Sequence, residues 1–279
     1  MLIRMIPSAP AEEPCRSVSA HLQVEVLGQA TIVFLLAVAS HYETSSESFT
    51  ATLDGEPVVI EEIKASHNGS LHCVRDVRPG WLIVNYKAEV AGVAAAPPIS
   101  DDEWIRYIRP SRYCETDRFG PFVRDEFAGL RGAEFVAAVS NWVGANIIYV
   151  PGSSRSTDGA VATLLAREGV CRDFAHLTAA LLRAGDIPAR IVGVYAPGLF
   201  PMDFHAVVEA YLDGVWIVVD PTRMAPRRAM VRIATGADAA DIAFVTNIGG
   251  AIRLTYLEVG AFSWPGLPHD DMAALVELN

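Results

Sequence analysis

Along residues 20–90 apolar and polar positions alternate in short runs. Residues 21–26 alternate strictly, 31–39 are almost continuously apolar, and 49–53 alternate again. After Asp54-Gly55 come 58–63, 71–77 and 81–90. A period of two, broken by polar turns at this spacing, predicts an antiparallel β-sandwich. Beyond residue 100 the period changes. Phe135, Val136, Val139, Trp142 and Val143 recur at helical spacing within 133–146, residues 160–167 are helix-periodic, and 175–183 form a run of good helix formers rich in alanine. Strand patterns return at 190–195, 205–212 and 215–220, the last two joined by Asp213-Gly214, a strong two-residue hairpin signal. Residues 246–250 and 252–259 read as a loop and a closing strand. The last dozen residues carry no pattern.

Residues 92–100 (Gly-Val-Ala-Ala-Ala-Pro-Pro-Ile-Ser) form a small-residue, proline-bearing linker. The expected organisation is therefore α+β: a β-sandwich domain over 1–100, then a domain over 101–279 in which a helix packs on an antiparallel sheet. At 279 residues the chain is comfortable for two domains.

Charge and composition narrow the function classes. A net charge of −11 argues against nucleic acid or an anionic membrane as partner, since both need a basic face. Residues 1–14 lack the apolar core of a secretory signal, and the longest apolar run, 31–39, is far short of the ~20 residues of a membrane helix. A cytoplasmic protein is expected. Cys15, Cys73, Cys114 and Cys171 are widely spaced, without a C-x-x-C pair, and His72-Cys73 would point to opposite faces of a strand. Neither a metal site nor a cofactor is expected. Oligomeric state is not readable.

The chemistry concentrates around Cys171. It follows Gly169-Val170 and precedes the 175–183 run, which places it at the start of a buried helix. There the free backbone N–H groups and the positive helix end favour a thiolate. The Asp213-Gly214 turn sets Leu212 opposite Val215 and Val207 opposite Asp220. His205 then lies diagonal to Asp220 on one face, within reach of it. A carboxylate holding an imidazole beside a helix-start thiol is a Cys-His-Asp arrangement for acyl transfer. The bland alternative is a buried core cysteine and an ordinary strand histidine.

The motifs Gly-Val-Cys-Arg-Asp-Phe-Ala-His (169–176), Leu-Leu-Arg-Ala (181–184), Ile-Pro-Ala-Arg (187–190), His205-Ala206 with Glu209, and Trp216 with Asp220-Pro221-Thr222 closely resemble the bacterial transglutaminase-like family, within the papain-like thiol-enzyme superfamily. The resemblance spans about 133–250. It implies Cys171 as nucleophile, His205 as base and Asp220 as the residue orienting it, and it matches the β region that precedes the catalytic domain in many bacterial members. Two positions depart from the family pattern. Asp186 stands where glycine usually precedes Ile-Pro, and Val207 stands where tryptophan usually follows His-Ala. Asp tolerates the left-handed helix end, so the fold should survive the first change. The second bears on substrate shape.

The implied reaction is thioester-mediated attack on a peptide or isopeptide amide, with hydrolysis favoured. Transfer to an amine by a transglutaminase, and a non-catalytic binding module on the same fold, remain open. Candidate substrate contacts are Tyr149, Asp173, Phe204 and Val207. Asp173 also reads as a first-turn helix acid. His176, about 140° around the helix from Cys171, reads as a buried structural histidine. Cys114 reads as a packed thiol. Arg106, Arg109 and Arg112 read as salt-bridge partners rather than an anion site, and His21, His41, His67 and His72 as strand or surface residues.

Overall fold

The computed structural model describes residues 14–65 and 69–278. His67 and residues 1–13, on which the leader expectation rests, lie outside the described residues. In chain order the strands and helices are β1 (Cys15–Val26), β2 (Ala30–Phe34), β3 (Glu43–Leu53), β4 (Glu56–Pro57), β5 (Glu61–Lys64), β6 (Ser70–Val77), β7 (Gly80–Ala91), α1 (Asp101–Arg106), α2 (Gly120–Glu126), α3 (Gly132–Asn146), β8 (Ile148–Tyr149), α4 (Ala160–Ala166), β9 (Glu168–Gly169), α5 (Cys171–Ala184), β10 (Ala189–Tyr195), β11 (His205–Leu212), β12 (Val215–Val219), β13 (Val231–Gly236), β14 (Val245–Gly249) and β15 (Ile252–Trp264).

Strict alternation in β1 buries every second side chain, among them Leu22, Val24 and Val26. Two antiparallel sheets, ordered β15-β1-β7-β3-β4 and β14-β2-β6-β5, enclose these residues with Ile32, Phe34, Leu82 and Val84. The sandwich is not confined to the first hundred residues. β14 pairs with β2, and β15 pairs with β1 along its length. Residues 246–250 are thus mostly strand rather than loop, and the expected closing strand of the second unit closes the first instead. After β7 the chain leaves the sandwich, and Ser100 caps α1 in a capping box with Glu103. The chain then crosses back before residue 245.

The apolar run at 31–39 also differs from its expectation. Only 30–34 is strand. Residues 35–39 are buried because they lie between the sandwich and the helix–sheet unit. Leu35 N–H donates to the Phe244 carbonyl (3.1 Å), Ala39 N–H to the Arg232 carbonyl (2.8 Å), and the Tyr195 hydroxyl to the Leu36 carbonyl (2.8 Å).

The helix–sheet unit is an antiparallel sheet ordered β12-β11-β10-β13, with α5 on one face. Helix α5 is buried from Asp173 to Arg183, and its alanines let the sheet approach closely. Gly185 ends it, and a Cβ there would lie 2.2 Å from the Phe135 ring of α3. Asp186 takes the left-handed conformation (φ 64°), as its side-chain chemistry allows. The usual single glycine is therefore divided between two positions, one for close packing and one for the turn. Gly144 of α3 packs likewise against the Pro221 carbonyl, 2.8 Å from where a Cβ would stand. This holds the 220–222 turn against the helix layer.

The buried Arg183 guanidinium gathers the carbonyls of Ala189 (2.9 Å), Ala237 (2.6 Å) and Arg109 (3.2 Å). The 237–241 segment is a clamp. Asp238 accepts Tyr113 N–H (3.0 Å), Ala239 N–H donates to His176 Nε2 (3.1 Å), and Asp241 pairs with Arg106 (2.7 Å). The final residues lie beside β12, where the Val276 carbonyl accepts Val218 N–H (2.8 Å).

Candidate active site

The Asp213-Gly214 turn produces the expected register: Leu212 pairs with Val215 and Val208 with Val219. Carried one step past the end of β12, it brings Asp220 to His205. The imidazole Nε2 and the Asp220 Oδ2 are 2.9 Å apart, with the two residues 3% and 4% exposed. Thr222 fixes the carboxylate. Both its N–H (3.0 Å) and its hydroxyl (2.7 Å) donate to Asp220 Oδ1, the Asx-type turn that an Asp-x-Thr spacing favours. Nε2 being committed to Asp220, the other ring nitrogen is left for Cys171, which adjoins the imidazole closely enough to act on its titration.

Burial by itself would pull the His205 pKa down. The Asp220 charge, its hydrogen bond and the adjoining Cys171 outweigh burial and lift it to about 10. Asp220 shifts the other way. Burial opposes its ionisation, but the imidazole and the two Thr222 donors hold the carboxyl below its ordinary value.

Cys171 is the first residue of α5, half-buried and without a disulfide. Asp173, expected among the substrate contacts, is instead the helix cap and is 2% exposed. Its Oδ2 accepts Val170 N–H (2.8 Å), and its Oδ1 accepts the Ser154 hydroxyl (2.9 Å). A Cβ on Gly169 would stand 2.6 Å from the Asp173 Cβ, which accounts for glycine two residues before the thiol. Arg172 completes the knot, donating to Ser154 and to the Arg155 carbonyl. Ser154 was not singled out in the sequence, where a Gly/Ser-rich loop looks alike at every position.

Tyr149 is carried to the thiol by the short parallel pairing of β8 with β9, which aligns it with Gly169. Its phenol oxygen faces the Cys171 backbone N–H. Burial, and then the nearby sulfur, push its pKa up to about 12, so the O–H stays protonated. Phe204 stands beside the pair, its ring 5.1 Å from Phe244 and 5.5 Å from Tyr195. Val207 is not at the site. It is 1% exposed, pairs with Val192 and packs with Val194, Val218 and Leu278, beneath the carboxy-terminal segment.

His176 is fully buried, stacks on Tyr113 (5.2 Å) and is held neutral, its pKa pulled by burial to about 3. Cys114 is packed in the core, and burial pushes its thiol up to about 11. Glu209 is fully buried between Arg190 (2.7 Å) and Arg232. Among the described residues no group of three or more His, Cys, Asp or Glu is arranged to hold a metal ion. No helix among them is long and apolar enough to cross a membrane.

Comparison with known proteins bears on the same residues. Residues 125–221 match the model of the Transglutaminase-like superfamily, a span that contains Cys171, His205 and Asp220. The crystal structure of a candidate cysteine protease from Cytophaga hutchinsonii superposes with a TM-score of 0.86 at 30% identity, covering 95% of this chain and 96% of that one. An uncharacterized protein of Mycobacterium leprae is 30% identical over 136 residues, 44% of this chain. The chain spans about half (47%) of the length of that curated relative.

Proposed function

This chain belongs to the bacterial transglutaminase-like family, and from that premise we propose that it is a thiol hydrolase of peptide or isopeptide amide bonds, acting through Cys171, His205 and Asp220. The observation that carries the reading is the 2.9 Å contact between His205 Nε2 and Asp220, with the opposite ring nitrogen left for the helix-start thiol. The cysteine-protease description of the Cytophaga protein supports hydrolysis over amine transfer.

In this reading His205 and Cys171 rest as an imidazolium–thiolate pair, which the buried Asp220 charge favours. The sulfur attacks the amide carbonyl carbon and forms a C–S bond. The oxyanion gathers on the carbonyl oxygen, where the Cys171 backbone N–H and the Tyr149 O–H donate to it. The C–N bond then breaks, and His205 gives its proton to the departing amine, leaving a thioester and a neutral imidazole. Water attacks the thioester while His205 takes its proton. Breakage of the C–S bond releases the acid and restores the ion pair. Asp220 keeps the ring oriented throughout, as in other acyl-transfer triads.

The test is incubation of wild-type and Cys171→Ala protein with a mixed peptide pool and a labelled primary amine, read by mass spectrometry. New free carboxyl ends that vanish in the variant are expected. Labelled amine incorporated in place of those ends would make the protein a transamidase. Neither product, with both proteins folded, would favour a binding module.

A further inference from the structure

A cavity of about 400 Å³ opens beside Cys171 and His205, at the seam between the two units. Phe204 and Ile233 come from the helix–sheet unit and Leu35 and Leu257 from the sandwich, while Ile242 and Phe244 lie on the segment that crosses back between them. The wall is preformed: Phe204 stacks on Phe244, with rings 28° from parallel, and rests on Tyr195, whose hydroxyl is tied to the Leu36 carbonyl. An apolar chamber next to a nucleophile is a place for a side chain rather than for the scissile amide itself.

Two charged residues border it, and they differ. Arg172 is engaged by Ser154, the Arg155 carbonyl and Asp173. Asp203, exposed at the mouth, accepts only the N–H of its neighbour Phe204 (2.7 Å), and no arginine or lysine pairs with it among the described residues. Asp203 therefore puts a carboxylate at the entrance, with the His205 imidazole as its charged neighbour.

We infer that the seam cavity is the specificity pocket of the proposed thiol hydrolase, taking a bulky apolar side chain of the acyl donor, with Asp203 receiving a cationic residue next to it. The sandwich would thus be part of the substrate site, because Leu35 and Leu257 line one wall of the cavity. This rests on the acyl-transfer reading.

The experiment compares alkylation rates of Cys171 by N-acetyl dipeptidyl chloromethyl ketones bearing Phe-Lys, Lys-Phe, Phe-Glu, Glu-Phe and Gly-Gly, with iodoacetamide as a reagent that needs no pocket. The faster Phe/Lys reagent should exceed Gly-Gly by roughly 10- to 100-fold, the usual return for seating one large apolar group. It should exceed its glutamate counterpart by about 2- to 5-fold, as expected for an exposed ion pair. Phe244→Ala should reduce the first preference, and Asp203→Asn, at an exposed position, should erase the second without disturbing the core. Phe244→Ala should keep the wild-type iodoacetamide rate, whereas the Asp203 charge acts on His205, so the peptide rates of Asp203→Asn are read relative to that variant's own iodoacetamide rate. Rapid reaction with iodoacetamide but equal rates for all five peptides would overturn the pocket and leave the acyl-transfer reading standing. A thiol inert to iodoacetamide as well would overturn both.

Discussion

Strand β11 carries two buried charged clusters, and their difference is what singles out one of them as the proposed site. His205 and Glu209 lie four residues apart on the same face, and both are buried. Glu209 is closed on itself: one carboxylate oxygen takes Arg190 and the other takes Arg232. Arg190 stacks on Trp216 at 3.9 Å, and Arg232 reaches His41 (2.8 Å) and the Leu278 carbonyl (3.2 Å). His205 and Asp220 are equally desolvated, but their chain ends at a half-buried sulfur that opens onto a cavity. Both clusters contain shifted groups, Glu209 downward and His205 upward. Burial and perturbed titration therefore do not separate a structural clamp from a reactive centre. An unclosed nucleophilic atom facing an accessible cavity does.

The comparison breaks most sharply at the sulfur. Cys171→Ala should remove amide hydrolysis by about 10⁴-fold or more while leaving the melting temperature nearly unchanged. Comparable activity in the variant would move the nucleophile elsewhere. Glu209→Ala should do the reverse. Leaving Arg190 and Arg232 buried without their carboxylate should cost about 3–5 kcal/mol in denaturant unfolding, with Cys171 still reactive in the molecules that fold.

Titration separates the clusters again. The His205 pKa is raised from its ordinary value of about 6.5 to about 10, so its contribution to stability is fully present below the first value and lost as pH rises through the second. The stability gap between wild type and His205→Ala should shrink between about pH 6.5 and 10. Glu209 and Asp220 are lowered carboxyls, whose contributions are present above their ordinary range near pH 4 and fade only as pH falls below it. The gap between wild type and Glu209→Ala should therefore stay flat across pH 6.5–10, and unfolding titrations of the three proteins decide it. The smallest effect belongs to the helix cap. Asp173→Ala should cost about 1 kcal/mol in thermal unfolding and leave a reactive thiol, as suits a residue that organises the helix start without touching substrate.

What the sequence revealed of this arrangement was local. The two-residue turn fixed the hairpin register and hence the meeting of His205 with Asp220, and the Gly-x-Cys spacing placed the thiol at a helix start. Asp186 in the left-handed region follows from side-chain chemistry alone. What was not legible depends on distant segments. The patterns of β14 and β15 are ordinary for strands, and nothing local says that they pair some 200 residues upstream. Val207 has the expected face, but residues 276–278 cover that face, and their sequence is featureless. The apolar stretch at 35–39 has the composition of a strand and serves as the seam between units. The cavity draws on residues from Leu35 to Leu257, so only the assembled fold brings it to Cys171.

The central claim is that His205 makes Cys171 a nucleophile. Its most direct test is the pH dependence of iodoacetamide alkylation, followed by peptide mapping so that Cys171 is distinguished from the partly exposed Cys15. The account predicts rapid Cys171 labelling well below pH 8.5, the ordinary range of a free thiol, and loss of that reactivity in His205→Ala. A Cys171 that stays inert in the folded protein, or that labels identically with and without His205, would contradict it.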